Sequence, residues 1–240
     1  MYEHLMNETN ADLREIEKFE ELAQRWWDPD GELRTLHAIN PLRLDYIDER
    51  AGIAGKQIVD VGCGGGLLAE SLAERGGRVT GIDLAETPIN VARAHLGETG
   101  RHVDYRRVGT EAFAEEAAER FDIVACMELL EHVPDPAREI AAVARLARPG
   151  GSVFLSTVNR TPRAFALAVV GAEYILGMLP RGTHDYSRFF RPAELDRVCR
   201  RHGLIPRALT GITYNPLTRR FHTSRDVSVN YLAWYQRGPA

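Results

Sequence analysis

Residues Gln57 to Gly66 read QIVDVGCGGG, and the next apolar run, Arg78 to Asp83 (RVTGID), closes on a carboxylate. An apolar strand that enters a glycine-packed turn and then a helix, followed by an acid at the end of the next strand, builds a pocket for a nucleoside. Gly62, Gly64 and Gly66 permit a backbone approach that any side chain would obstruct. Asp83 lies 21 residues beyond Gly62, close to the offset of about 20 at which such folds place a carboxylate on ribose hydroxyls.

Which nucleoside binds is decided around the turn. Counted from Gly62, a dinucleotide fingerprint needs a small residue where Leu67 stands; counted from Gly64 it reads Gly64, Gly66, Ala69, so the pattern alone leaves NAD open. Asp60 precedes the turn as D-x-G-x-G-x-G, which resembles the first motif of class I methyltransferases. A carboxylate there suits the cationic amino-acid end of S-adenosylmethionine and would repel a pyrophosphate.

Downstream, strands at 57–62, 78–83, 103–108, 121–127 and 151–157 alternate with helices at 66–76, 86–97, 111–118 and 136–147. This alternation predicts an α/β fold with a parallel sheet wrapped by helices and ligands at the carboxyl ends of the strands. Arg148-Pro149-Gly150-Gly151 reads as a sharp turn into the fifth strand. After an insertion at 160–190, a helix at 192–202 leads to strands near 204–213 and 227–236, expected as an antiparallel hairpin of the kind that separates a methyltransferase sheet from a dehydrogenase sheet. Ahead of the sheet, Asp12 can cap a helix running through Trp26 and Trp27, and a second helix is expected in PLRLDYIDERA with Pro41 in its first turn.

The 240 residues fit one α/β domain with appendages, and 44% hydrophobic with 27% charged residues is ordinary for a chain that buries a full core. A net charge of −4 gives no reason to expect a nucleic acid partner. Cys63, Cys126 and Cys199 show no paired spacing, which fits a reducing cytosol. The opening MYEHLMNETNADLREIEKF lacks an apolar signal core.

The chain further resembles the ubiquinone-biosynthesis O-methyltransferases. RWWD at 25–28, HAINPLRLDYI at 37–47, DVGCGGGLLAESLA at 60–73, CMELLEHVPDP at 126–136, VVGAEYILGMLPRGTHDY at 169–186, and the later ITYNPLT and VSVNY carry that resemblance. It implies a Rossmann-like class I methyltransferase sheet, mostly parallel with the last strand antiparallel. An amino-terminal helical lid would occupy 1–50 and the S-adenosylmethionine-binding domain 51–240. The implied reaction moves a methyl group to a hydroxyl of a polyprenylated phenol or catechol, such as 2-polyprenyl-6-hydroxyphenol or 3-demethylubiquinol; another small phenol or lipid is the alternative. Implied cofactor contacts are Arg43, Gly62, Asp83 and Met127. Arg43 would pair with the cofactor carboxylate, and Met127 would lie against the adenosine. Other ubiquinone-biosynthesis enzymes are conceivable partners.

Strand four runs out into Met127-Glu128-Leu129-Leu130-Glu131-His132 beside the expected methyl donor. A phenol ionises near pH ~10, so its proton must be drawn off before the oxygen attacks. Either a divalent cation such as Mg²⁺, held by Glu128, Glu131 and His132, lowers the phenol's pKa, or His132 is the general base with Glu131 as its carboxylate partner. The resemblance inclines towards the cation; Glu128 and Glu131 could instead cap the following turn. His184 and Asp185 form a second acid–imidazole pair.

Ala164 to Pro180 carries one charge, Glu173, in 17 residues between Arg163 and Arg181. That is short of the ~20 apolar residues that span a bilayer. It reads as a buried helix or as one lying on an anionic membrane surface. A substrate with a polyprenyl tail favours the second, and with it a cytoplasmic protein peripherally associated with the inner membrane.

Overall fold

A computed structural model describes residues 10–166 and 186–239. Its centre is an eight-stranded sheet: β1 (Gln57–Val61), β2 (Arg78–Asp83), β3 (Val103–Arg107), β4 (Phe121–Met127), β5 (Ala147–Val158), β6 (Leu204–Asn215), β7 (Arg220–Ser224) and β8 (Asn230–Arg237). The spatial order is β3-β2-β1-β4-β5-β8-β6-β7. The first five strands in that order pair in parallel, and β8 runs antiparallel to both β5 and β6. The methyltransferase-like sheet expected from the sequence is therefore present. The order reverses between β1 and β4, where crossover helices leave on opposite faces and open a crevice at the carboxyl edge.

Helices α3 (Leu67–Glu74), α4 (Glu86–Thr99), α5 (Thr110–Glu116), α6 (Pro136–Leu146) and α7 (Pro192–Arg201) follow the sheet strands, and α1 (Leu13–Leu22) and α2 (Arg34–Ala51) precede them. Two apolar layers result. One holds Val124, Ile140 and Leu155; the other packs Ile47, Ile58, Leu72 and Phe154. The central parallel strands β1 and β4 are buried on both faces, with nearly unbroken burial along each. No helix among the described residues is long and apolar enough to cross a membrane.

Several boundaries differ from the sequence reading, each for a tertiary reason. Helix α1 stops at Leu22 and a 3₁₀ turn, Ala23–Arg25, follows, so Trp26 and Trp27 lie beyond it. Trp27 donates its indole N–H to the Gly65 carbonyl and stacks on His95 at 3.5 Å between centroids, contacts that a continued helix would misdirect. Helix α2 starts at Arg34 and carries Pro41 inside it. It tolerates the missing hydrogen bond because Ile39 and Asn40 before the proline, and Leu44, Tyr46 and Ile47 after it, are all buried.

Arg148 to Gly151 is a bulge within β5 rather than a turn ahead of it: Phe121 pairs with Ala147 and Ile123 already with Ser152. The two closing strands are adjacent and antiparallel, but β7, missed in the charged run RRFHTS, intervenes in sequence and pairs with β6. The apolar segment at 164–180, after Ala166, and the His184–Asp185 pair lie outside the described residues.

The turn after β1 depends on Gly66, which has φ +91° and opens α3. A Cβ there would strike the hydroxyl of Tyr105, itself buried. Gly66→Ala should lower the unfolding free energy by about 2–4 kcal/mol, as left-handed strain adds to overpacking. Urea denaturation checks this, and a Tyr105→Phe background should return part of the loss.

Candidate functional site

The crevice at the reversal of strand order opens into a cavity of about 650 Å³, lined by Gly62, Asp83, Met127, Glu128, Glu131 and His132 together with residues of α1 and α2. The sequence-predicted site residues therefore meet in one place.

The nucleoside half is built from main chain. Gly62 and Cys63 donate their N–H groups to the Ile82 carbonyl at 2.9 and 3.0 Å. Asp83 accepts from Gly64 N–H at 2.9 Å and from Ala85 N–H at 2.8 Å. Burial raises the Asp83 carboxyl above its ordinary range, and these backbone bonds oppose the rise. One carboxylate thus fixes the glycine turn and still has lone pairs for hydroxyl groups in the cavity.

The glycines serve a purpose the sequence did not reveal. A side chain on Gly62 would press on Leu129, and one on Gly64 or Gly65 would overlap the indole of Trp26. The segment that bears Trp26, as much as any ligand, demands the bare backbone. Asp60, just before the turn, is 3% exposed. Burial pushes its carboxyl up to about 7, against the pull of Arg43 and with the repulsion of Asp83.

Arg43 comes from α2 and binds the Glu128 carboxylate at 2.9 Å, while its Nε meets no acceptor. Its expected partner, a cofactor carboxylate, would compete with Glu128 for the guanidinium. Glu128 itself sits at φ +52°, a left-handed position for a residue with a side chain. Two bonds offset the cost: its N–H reaches the Ser156 carbonyl at 3.1 Å, and its carboxylate accepts from the Ser156 hydroxyl at 2.7 Å. Met127, the last residue of β4, is 9% exposed and borders the cavity.

Glu131 is buried and accepts from the Thr157 hydroxyl at 2.9 Å. Burial, and then the neighbouring Glu128, raise its carboxyl well above the carboxylate range. Its other oxygen meets no donor. His132 turns elsewhere: its Nδ1 lies 2.8 Å from the carboxylate of Glu15 on α1, and Phe19, one helical turn on, packs edge-on at 5.1 Å. That bond pulls the Glu15 carboxyl down to about 2.

One sequence expectation changes on this geometry. The carboxylate that orients His132 is Glu15, not Glu131. Of the three expected cation ligands, Glu128 bonds Arg43 and Ser156, Glu131 bonds Thr157 with Glu128 beside it, and His132 bonds Glu15; no group of three or more His, Cys, Asp or Glu side chains among the described residues is placed to hold a metal ion. Sequence reading missed Glu15, Phe19, Trp26, Ser156 and Thr157. Only the Ser156–Thr157 pair left a signal, as two adjacent hydroxyls directly after the apolar run Val153-Phe154-Leu155.

The profile of a methyltransferase-domain family matches residues 34–208. Among solved structures, magnesium protoporphyrin IX methyltransferase from Synechocystis PCC 6803 with bound SAH superposes with a TM-score of 0.65 at 20% identity, covering 86% of each chain. The [4+2]-cyclase SpnF gives 0.63 at 18% identity over 85% of this chain and 82% of its own. A cyclase on the same scaffold shows that such likeness carries the fold alone. Sequence relatives are far nearer. A protein of Dechloromonas aromatica is 56% identical over 93% of this chain and 96% of its own. One of Aromatoleum aromaticum is 58% identical over 93% and 95%, and one of Pseudomonas aeruginosa 56% over 95% and 99%. All three bear the name ubiquinone biosynthesis O-methyltransferase. Matched nearly end to end at this identity, the chain belongs to the family of ubiquinone biosynthesis O-methyltransferases.

Proposed function

We propose that the protein transfers the methyl group of S-adenosylmethionine to a hydroxyl of a polyprenylated phenol or catechol. The observation that carries this reading is one cavity joining the Gly62–Asp83 nucleoside half to the Glu128, Glu131 and His132 cluster, in a chain of this family. Asp83 would receive the ribose hydroxyls and Met127 would flank the adenosine. Arg43 would take the amino-acid carboxylate, with Asp60 near the ammonium.

The hydroxyl oxygen attacks the methyl carbon, the carbon–sulfur bond breaks, and the phenolic proton goes to His132. With Nδ1–H donating to Glu15, Nε2 carries the free lone pair and is the base. The tautomer follows from the hydrogen bond. A divalent cation at Glu128, Glu131 and His132 is the second reading. The donorless oxygen of Glu131 beside Glu128 favours it, since a hard cation suits paired carboxylates. His132 would have to join through Nε2. Such an ion would lower the phenol's pKa. The docking of residues 164–180 on an anionic membrane belongs to the same proposal, because a polyprenyl tail stays in the bilayer.

Incubation with labelled S-adenosylmethionine and a short-chain demethylated ubiquinol should yield labelled methyl ether. Loss of turnover on exhaustive chelation, restored by Mg²⁺, would select the cation; full activity with chelator selects His132 as a metal-free base. No transfer to any such phenol overturns the proposal.

Asp60 supplies a separate check. Its raised carboxyl is protonated in acid and ionises near pH 7, and a cationic ligand end favours the ionised form. Binding should therefore expel a proton, so affinity for S-adenosylhomocysteine should climb as pH rises from about 5.5 to 7.5. Calorimetry in buffers of different ionisation enthalpy measures this, and Asp60→Asn should flatten the slope.

A further inference from the structure

We propose that Glu15 is a positioning residue for methyl transfer: carried on α1, it orients the His132 ring and fixes its tautomer, so that the base is set only when α1 lies over the cavity. The inference rests on the reading of His132 as the base. Glu15 and His132 are 117 positions apart in sequence, yet their side chains meet at 2.8 Å with only 15% and 12% of each exposed. Phe19, four residues along the same helix, closes on the ring edge. A carboxylate on one ring nitrogen and an aromatic contact on the ring leave the second nitrogen as the reactive one.

The placement couples two events. The chain that bears Glu15 continues to Trp26, whose indole covers Gly64 and Gly65. Covering the cofactor turn and aiming the base are therefore consequences of one docking. Glu15 is not needed for the docking itself. Asn10 exchanges hydrogen bonds with the Asp135 backbone at 2.8 and 2.9 Å, Asp12 pairs with Arg188 at 2.8 Å, and Glu20 accepts from the Glu86 N–H at 2.7 Å. Removing the Glu15 carboxylate thus separates positioning from closure.

The test uses the full chain with S-adenosylmethionine and a short-chain demethylated ubiquinol. Glu15→Ala should lower kcat about 10- to 100-fold, a part of the roughly 10²- to 10⁴-fold that a positioned general base contributes. Its affinity for S-adenosylhomocysteine should stay within about threefold, because Asn10, Asp12 and Glu20 hold α1 in place without it. Glu15→Gln, which keeps an acceptor, should recover most of kcat. Nitrogen-15 NMR of the labelled His132 ring should show Nδ1 protonated in the wild type and a mixture in Glu15→Ala. An unchanged tautomer pattern, or a changed one with wild-type kcat, overturns the proposal. So does a loss of cofactor affinity matching the loss of kcat, which would make Glu15 a structural clasp. His132→Ala tests the base reading itself, so its retention of activity would be told apart from a failure of Glu15.

Discussion

The hydrogen bond from Gly64 N–H to the Asp83 carboxylate ties the two strands that make this site. Without it the only main-chain link from the glycine turn after β1 to the end of β2 would be the Ile82 carbonyl, which takes the N–H groups of Gly62 and Cys63. With it, the acid that ends β2 and the turn that ends β1 form one rigid rim. Everything else leans on that rim: Trp26 covers it, α3 starts from it, and β4 delivers Met127 and Glu128 next to it. A buried carboxylate is costly unless backbone donors meet it, and here two donors do.

The cavity concentrates acid. Asp60, Asp83, Glu128 and Glu131 line it, and Arg43 reaches in from α2 to Glu128. Burial raises Asp60, Asp83 and Glu131 above their ordinary ranges, and repulsion adds to it at Asp60 from Asp83 and at Glu131 from Glu128. Such a site is poised for a positively charged ligand, whose arrival relieves repulsion already present. Glu15 behaves oppositely because its partner is an imidazole rather than another acid.

The sheet and its order were legible because its signals are local. Glycines, a terminal acid and apolar runs of five or six residues repeat along the chain, and each decides its own neighbourhood. Asp83, Gly62, Met127 and the 128–132 cluster were legible for the same reason, lying at strand ends that the fold brings to one edge. Glu15 was not, since nothing in LREIEKFEEL distinguishes it from the other acids of an amphipathic helix until α1 is laid across the cavity. Trp26 was assigned to a helix stripe, and only its docking on Gly64 and Gly65 gives it a different task. Pro41 misled for a related reason, because packing on both sides of it outweighs its local preference.

That docking places a constraint on inheritance. Gly64 and Gly65 are bare where the Trp26 indole lies against them, so the turn and the amino-terminal segment are shaped to each other across about forty residues of sequence. Neither partner can drift alone: a bulkier turn evicts the indole, and a smaller residue at 26 uncovers the turn. An amino-terminal segment transplanted from a distant methyltransferase would find the sheet intact and its landing place misshapen, so the two pieces are heritable as a pair.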